Sequence, residues 1–506
     1  MDKLLSHKTF YYLWPIHMLL LLAFPSILAA QETLTLQQCR NLALEHNKEI
    51  AIAEENTLAV HELEKAAQTL YYPKFSFHGG YFRMNKQFSL FSKNMFLPVV
   101  PSEVYQNGLS TLDPRENPDL VRETMVTQNF NGVPIPVEDP KTGKPMFQDY
   151  ALLPKSEARF DLENIFFGNI GLRQPVYTGG KIKQTQKIAR YSKKLMEARK
   201  QVSKADVVMQ TDKRYWKVIS LQEKVKLSKD YLKRLDALLS DVSNLHEEGI
   251  VTRNKLMQVQ VKKNKVELQK FKAENGLKLA RMALNQKLGY PLDTLFLLAD
   301  SLGSTKSLSH PGEYKAKALE NRSEIRALRQ SINITESGVE IMKSRYLPNI
   351  GLAANYTFTN PNPWNGFDNE FGGSPNIGLY INVPIYHWGE RKHTLQAVKH
   401  KQKADIKKLE QTRELISLEV RKAIFSYNES VKQVNMTQTG LEQARENLEI
   451  TKDNFEEGMA KSADVLEAQS IWQEAYNDHI NAMIEYKLNR TKLLQTSGQL
   501  LKTVKE

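Results

Sequence analysis

The chain has 506 residues, a quarter of them charged, with a formal net charge of +13 and a single cysteine. One thiol excludes an internal disulfide framework. The basic excess is spread along Lys-rich stretches instead of being clustered with aromatics, which argues against a nucleic-acid partner.

Residues 1–30 carry the marks of a secretory signal: Lys3 and Lys8, the apolar run Met18 to Phe24, then Ala29-Ala30 before a cut. An uncleaved anchor is the alternative, disfavoured by the short run and by Pro15 and Pro25. No other stretch approaches the roughly 18 apolar residues of a helical membrane span. Cys39 lies well past the cut, is poorly placed for lipidation, and reads as a small buried residue of the first helix.

Residues 34 to 71 predict a helix pair or one bent helix, with Leu42, Ile50, Ile52, Leu58 and Leu63 among its apolar members, ended by Pro73. A strand over about 75–83 follows, with Phe75, Phe77, Gly79 and Tyr81 alternating against Ser76, His78, Gly80 and Phe82. Residues 84–162 are an insertion, rich in proline from Pro98 to Pro154 and without a steady period, and predict a long loop with little regular structure. A second strand spans about 169–177, and a long helix 181–246 leaves it directly. In that helix Leu221, Val225, Leu232, Leu235, Leu239 and Val242 step by threes and fours, interrupted at Ser228, as a coiled-coil seam does. A helix of this size reaches about 100 Å.

Gly249 makes a turn, Thr252 is a good N-cap, and a return helix runs over 252–288, ended by Gly289 and Pro291. Residues 292–311 form a linker. A helix from about 313 to 345 leads to strands over about 350–358 and 377–386, with a short loop between them. The long helix 390–455, the return helix 462–499 and a tail, 501–506, complete the chain.

Two halves of this chain match. Pro175-Val176-Tyr177 corresponds to Pro384-Ile385-Tyr386, and Glu247-Glu248-Gly249 to Glu456-Glu457-Gly458, both at an offset of 209 residues. Equal spacing between such distant landmarks implies packed helices, because loops tolerate insertions. Ala43-Leu44-Glu45 and Pro73 match Ala318-Leu319-Glu320 and Pro348 at an offset of 275, so the extra length sits between Pro73 and Pro175. The halves span 31–291 and 312–500.

Four strands of about ten residues cannot enclose anything, and a membrane does not permit their unpaired edges. Closed membrane barrels start at about eight strands, so strands that meet lipid require several copies to share one barrel. A soluble helical rod capped by small hairpins is the alternative. The one-sided apolar faces of the last two strands favour the barrel, since nothing else in the chain would cover them.

The handovers PVYTGGK and PIYHWGERK, the helix starts EEGIVTRNKL and EEGMAKSADVLEAQ, and the two-fold repeat behind a signal segment resemble the TolC-type outer-membrane efflux family over roughly residues 32 to 500. The resemblance implies an α+β membrane protein, a homotrimer whose 12-stranded outer-membrane β-barrel, four strands per chain, continues into a periplasmic α-helical barrel. It also implies a passive exit duct docking a periplasmic adaptor protein and an inner-membrane pump of the RND or ABC type, with the insertion facing the cell exterior. Drug efflux and protein secretion share this architecture. From another class, an exported coiled-coil structural or adhesive surface protein is the alternative.

No catalytic, phosphate-binding or metal-binding motif stands out, and neither enzyme activity nor a cofactor is expected. Asp464 and Glu467 lie three apart at a helix start and share a face. In a trimer with that face inward they would form two carboxylate rings, and the resemblance places the periplasmic gate there, with glutamate at the second position. Stabilisation by the helix dipole is the alternative account of both acids. The matching first-half positions are Lys255 and Gln258, without the acid that the family often carries. The turns Gly249-Ile250-Val251 and Gly458-Met459-Ala460 are candidates for adaptor docking, against helix termination alone. Pro175, Tyr177 and Gly180, with Pro384, Tyr386 and Gly389, mark the two strand-to-helix junctions.

Overall fold

The computed structural model of the chain describes residues 33–85, 88–160, 162–303 and 313–504. The expected signal segment and the linker residues 304–311 lie outside them. The described residues divide into two compact units, one within 33–70, 180–345 and 386–504, the other within 71–179 and 346–385.

In chain order the first elements are β1 (Thr33–Leu34), α1 (Leu36–His46), α2 (Lys48–Gln68) and β2 (Lys74–Arg83). The insertion holds β3 (Phe88–Ser89), β4 (Met95–Pro98), α3 (Ser102–Asn107), α4 (Pro118–Thr124), β5 (Thr127–Phe130), β6 (Val133–Pro136), β7 (Tyr150–Leu153) and β8 (Arg159–Phe160). Then come β9 (Asn164–Tyr177), α5 (Lys181–Glu247), α6 (Arg253–Leu288), β10 (Leu297–Leu298), α7 (Glu313–Asn321) and α8 (Ser323–Ser344). The chain closes with β11 (Asn349–Asn360), β12 (Gly372–Asn382), α9 (Glu390–Glu456) and α10 (Ser462–Thr496).

In the helical unit, α5 and α9 have 67 residues each. Each packs antiparallel against its return helix, α6 or α10, and α5 also meets α2, α8 and α10. The seam expected on α5 is present at Val225, Leu235 and Val242, all buried, while Leu232 and Leu239 are half-buried beside it. Ser228 stays in the seam because its hydroxyl donates back to the Lys224 carbonyl at 2.8 Å, satisfying its own polar group. The first segment is a helix pair, broken at Asn47, whose side chain caps α2 and donates to the Lys287 carbonyl. The helix expected over 313–345 is likewise two helices. Arg322 turns extended between them, and its guanidinium meets Glu324, Glu419 and the Thr496 carbonyl. The linker contributes β10, paired in parallel with β1.

Cys39 is fully buried on α1, in a core with Tyr215, Trp216, Leu284 and Leu288. Burial pushes its thiol up to about 12, with the negative charges of Asp300 and Asp212 adding to the effect. Arg40 holds fully buried Asp212 through two bonds, Nε to Oδ1 at 2.7 Å and a second nitrogen to Oδ2 at 2.5 Å. Thr491 of α10 donates to the same carboxylate at 2.8 Å, so α1, α5 and α10 meet at one satisfied buried charge.

The other unit is built on one antiparallel sheet in the order β12-β11-β9-β2. Cross-strand partners share a face, which sorts the residues. One face carries Ile377, Leu379, Ile381, Leu352, Tyr356, Ile170, Leu172, Phe75 and Phe77. The other carries Lys74, Ser76, His78, Asn169, Arg173, Asn355, Thr357 and Asn376, with Tyr380 toward one end and Phe82 and Phe167 toward the other. On the polar face Asn169 donates to Thr357 at 2.7 Å and Asn355 to Asn376 at 3.0 Å. The apolar face is uncovered: Ile377 is 84% and Phe75 76% exposed. Phe358 lies flat over Gly168, where a Cβ would come within 2.2 Å of its ring.

Three expectations about this unit need correction. The strand placed over 377–386 is Gly372–Asn382, and residues 383–387 are irregular. Asn382 pairs with Asn349, the first residue of β11, so no partner strand remains beyond it, and Pro384 lacks the N–H to continue. The insertion is not structureless. Among its described residues it holds three two-stranded ladders, two short α-helices and two 3-10 helices, with Val104, Leu112, Val121 and Met125 forming a small core. Its prolines are tolerated where no donor is needed: Pro118 opens α4, and Pro134 and Pro136 take alternate positions on the two-stranded β5–β6 ladder. In addition, β9 starts at Asn164, five residues before the expected 169.

Candidate functional site

Both hairpin turns of the helical unit have the same backbone. After α5, the N–H of Gly249 donates to the His246 carbonyl and that of Ile250 to the Leu245 carbonyl. After α9, Gly458 donates to Phe455 and Met459 to Asn454. These paired bonds are the Schellman termination, which needs a left-handed residue after the cap. Gly249 at φ +75° and Gly458 at φ +77° supply it. Ile250 is 65% and Met459 69% exposed, so each turn holds out one large apolar side chain, followed by half-buried Val251 or Ala460.

The chemistry at the two helix starts differs. Asp464 accepts the backbone N–H of Lys461 at 2.8 Å, capping α10 from its third position. Asp464 and Glu467 are both exposed, on the side of α10 away from buried Val465, Ala468 and Gln469. One carboxylate oxygen of Asp464 is thus engaged by its own helix, and Glu467 has no ion pair within the chain among the described residues. At the first turn Lys255 is half-buried and Gln258 exposed. There His246 Nδ1 donates to the Val251 carbonyl at 2.9 Å, locking the loop from the helix before it instead of the helix after it.

Beside the second turn, a cleft of about 400 Å³ lies among α5, α9 and α10, lined by Leu238, Phe455, Val465, Gln469 and Trp472. Arg234 stacks over the Trp472 ring at 4.9 Å, and the buried Gln469 Oε1 has no hydrogen-bond partner among the described residues. Nothing in the sequence pattern marked this cleft, because its lining comes from three separated helices.

At the junctions, Gly180 and Gly389 take φ values of +86° and +83° directly before α5 and α9, turning the chain into each helix. The first junction is reached through a bulge: Pro175 pairs with Gly351 and Tyr177 with Ile350, leaving Val176 as the extra residue. At the second junction Pro384 and Tyr386 lie past the strand end, and Tyr386 meets Trp388 edge-to-face at 5.0 Å. Among the described residues, no group of three or more His, Cys, Asp or Glu is placed to hold a metal.

A four-stranded sheet with one apolar and one polar face, set into the connections of two such long helical hairpins, defines the class of TolC-like outer-membrane channels. The chain belongs to the outer membrane efflux protein family, whose sequence pattern matches residues 164–290 and 316–499. The alkaline protease secretion protein AprF of Pseudomonas aeruginosa is 24% identical over 261 residues, 50% of this chain and 53% of that protein. The chain therefore spans about half the length of this curated relative. The fold matches the outer-membrane channel OprN with a TM-score of 0.68 at 14% identity, covering 92% of this chain and 90% of that one. It also matches the outer membrane protein VceC of Vibrio cholerae with a TM-score of 0.66 at 14% identity, covering 92% and 96%.

Proposed function

We propose that the chain is the exit duct of a tripartite efflux or type I secretion system, acting as a homotrimer in the outer membrane. The observation that carries this reading is the open sheet. Its strands alternate in direction from β2 at one edge to β12 at the other, and its apolar face is uncovered. An unpaired edge is not tolerated in lipid, and only closure removes it. With four strands per chain, β12 of one copy meets β2 of the next antiparallel, and three copies make a barrel of about twelve strands, polar inside and apolar outside. Two repeats, 31–291 and 312–500, would then place four long helices per copy in a periplasmic helical barrel. We assign no catalytic step and no cofactor: the energy comes from the partners.

In this reading Asp464 and Glu467 are the gate. Two stacked rings of three carboxylates repel one another and attract cations. The turns Gly249-Ile250-Val251 and Gly458-Met459-Ala460 dock the periplasmic adaptor protein, with Ile250 and Met459 as the apolar contacts, and an RND or ABC pump stands behind the adaptor. The name of AprF, a protease secretion protein, favours the secretion arm.

The test is the mass of the mature protein in mild detergent, together with its conductance in a planar bilayer. A heat-modifiable conducting trimer supports the duct. A soluble monomer or dimer would remove it and favour the coiled-coil surface protein.

A further inference from the structure

Lys74 of β2 and Arg173 of β9 stand directly opposite each other on the polar face of the sheet. Like charges in that position repel and weaken a strand pair, so the arrangement calls for an account other than stability. The same row continues across the sheet as Ala353 of β11 and Gly378 of β12. Both are small, and a Cβ built on Gly378 meets nothing within 4 Å. None of the four strands contains an aspartate or glutamate, so no anion on the sheet balances the pair. Both side chains are exposed, and they share their face with Asn169, Thr357, Asn355 and Asn376, while the aromatic residues of that face, Tyr380 and the stacked pair Phe82 and Phe167, lie toward its two ends. Their heads therefore have no lipid headgroup to reach from the side where they stand.

We propose that Lys74 and Arg173 form a cationic ring inside the barrel that favours anionic solutes. This rests on the shared-barrel reading above. Two cations per chain become six around one row of the lumen when three copies close, separated by the small Ala353 and Gly378 positions. The row lies at the start of β2, where the chain arrives from α2, and four residues before the end of β9, where it leaves for α5. Rings of charged side chains set the sign of the permeant ion. This ring is opposite in sign to the Asp464 and Glu467 carboxylates. Its ligand class is an anionic group of any source, for which chloride is the simplest probe.

The experiment is the reversal potential of the reconstituted full-length protein under a KCl gradient at low ionic strength, where a Debye length of about 30 Å at 0.01 M leaves the ring unscreened. The K74Q/R173Q double variant is expected to lower the chloride-to-potassium permeability ratio several-fold relative to the unsubstituted channel. K74E, which places opposite charges across the same pair, should lower the ratio while keeping or raising the heat resistance of the oligomer. K74R should keep the ratio. A ratio that stays the same in K74Q/R173Q and K74E, in channels that still conduct, overturns the ring alone. If K74Q/R173Q does not assemble, K74E against K74R decides the question. An unsubstituted protein that forms no conducting oligomer overturns the shared barrel, and the ring falls with it.

Discussion

The two long hairpins share a skeleton and differ in what holds and decorates it. Both have a 67-residue helix, a Schellman turn and a broken helix pair docked alongside. In the first, the dock is sealed by Arg40 on fully buried Asp212. In the second, Arg322 and Lys492 share Glu419, which is partly exposed. The first turn is followed by Lys255 and Gln258, the second by Asp464 and Glu467. Backbone geometry is thus common to both, while charge and burial are not. The difference teaches that length and turn shape serve the scaffold, and that function is to be sought where the halves diverge.

The largest expected effect tests the two docks. R40M leaves Asp212 buried without its cation and should cost about 3–5 kcal/mol. R322M should cost clearly less, because Glu419 keeps Lys492 and some solvent. Denaturant unfolding followed on each hairpin reads both, and equal losses would break the contrast. Next come the turns, where the halves should behave alike. Alanine at Gly249 or Gly458 meets a left-handed backbone and should cost about 1–2 kcal/mol at either site. A large difference would mean that one turn is held by more than its own bonds.

The carboxylates sharpen the divergence. Asp464→Ala with Glu467→Ala should enlarge single-channel conductance and weaken block by divalent cations, while Lys255→Ala with Gln258→Ala should do neither. Unchanged conductance in the first pair would remove the gate. The smallest effect is on acidification. Burial pushes Glu419 up, but hydrogen bonds and charge from Lys492 and Arg322 outweigh it and hold the carboxyl below its ordinary 4.5. A folded-state value below the unfolded one adds stability that is present above 4.5 and lost as pH falls through the folded value. Hydrogen exchange near Arg322 should therefore rise below that point, and a pH-independent rate would dismiss the network.

Much of this was legible in sequence where glycine punctuates. The ends of α5 and α9 fall within a residue or two of expectation, because Gly180, Gly249, Gly389 and Gly458 each take a positive φ, which glycine adopts without a side-chain clash. Period-two alternation located three strands of the main sheet, and the match of Pro175-Val176-Tyr177 to Pro384-Ile385-Tyr386 located the fourth, β9. Alternation misjudged the end of β12, since Val383 and Ile385 continue the pattern after the partner strand has run out. In the insertion, proline content points to a loop, whereas proline position, at a helix start and at alternate ladder sites, is compatible with regular structure. Asn131-Gly132, with φ values of +53° and +88°, closes the β5–β6 hairpin and was a readable signal. Lys74 and Arg173 escaped because opposition across strands depends on register, which the sequence of either strand alone does not carry.

The order β12-β11-β9-β2 has a further consequence. In the shared barrel proposed above, the two free edges differ, so neighbours would join head to tail, and every chain would have to offer a sound β2 to one side and a sound β12 to the other. A chain with one edge blocked, by proline in β2 for example, would still accept a neighbour on its good side and then stop the ring. Such a chain poisons assembly instead of merely dropping out of it. If half the chains in a cell were blocked, roughly one ring of three in eight would be free of them. A recessive folding defect elsewhere in the molecule would become a dominant one at this edge.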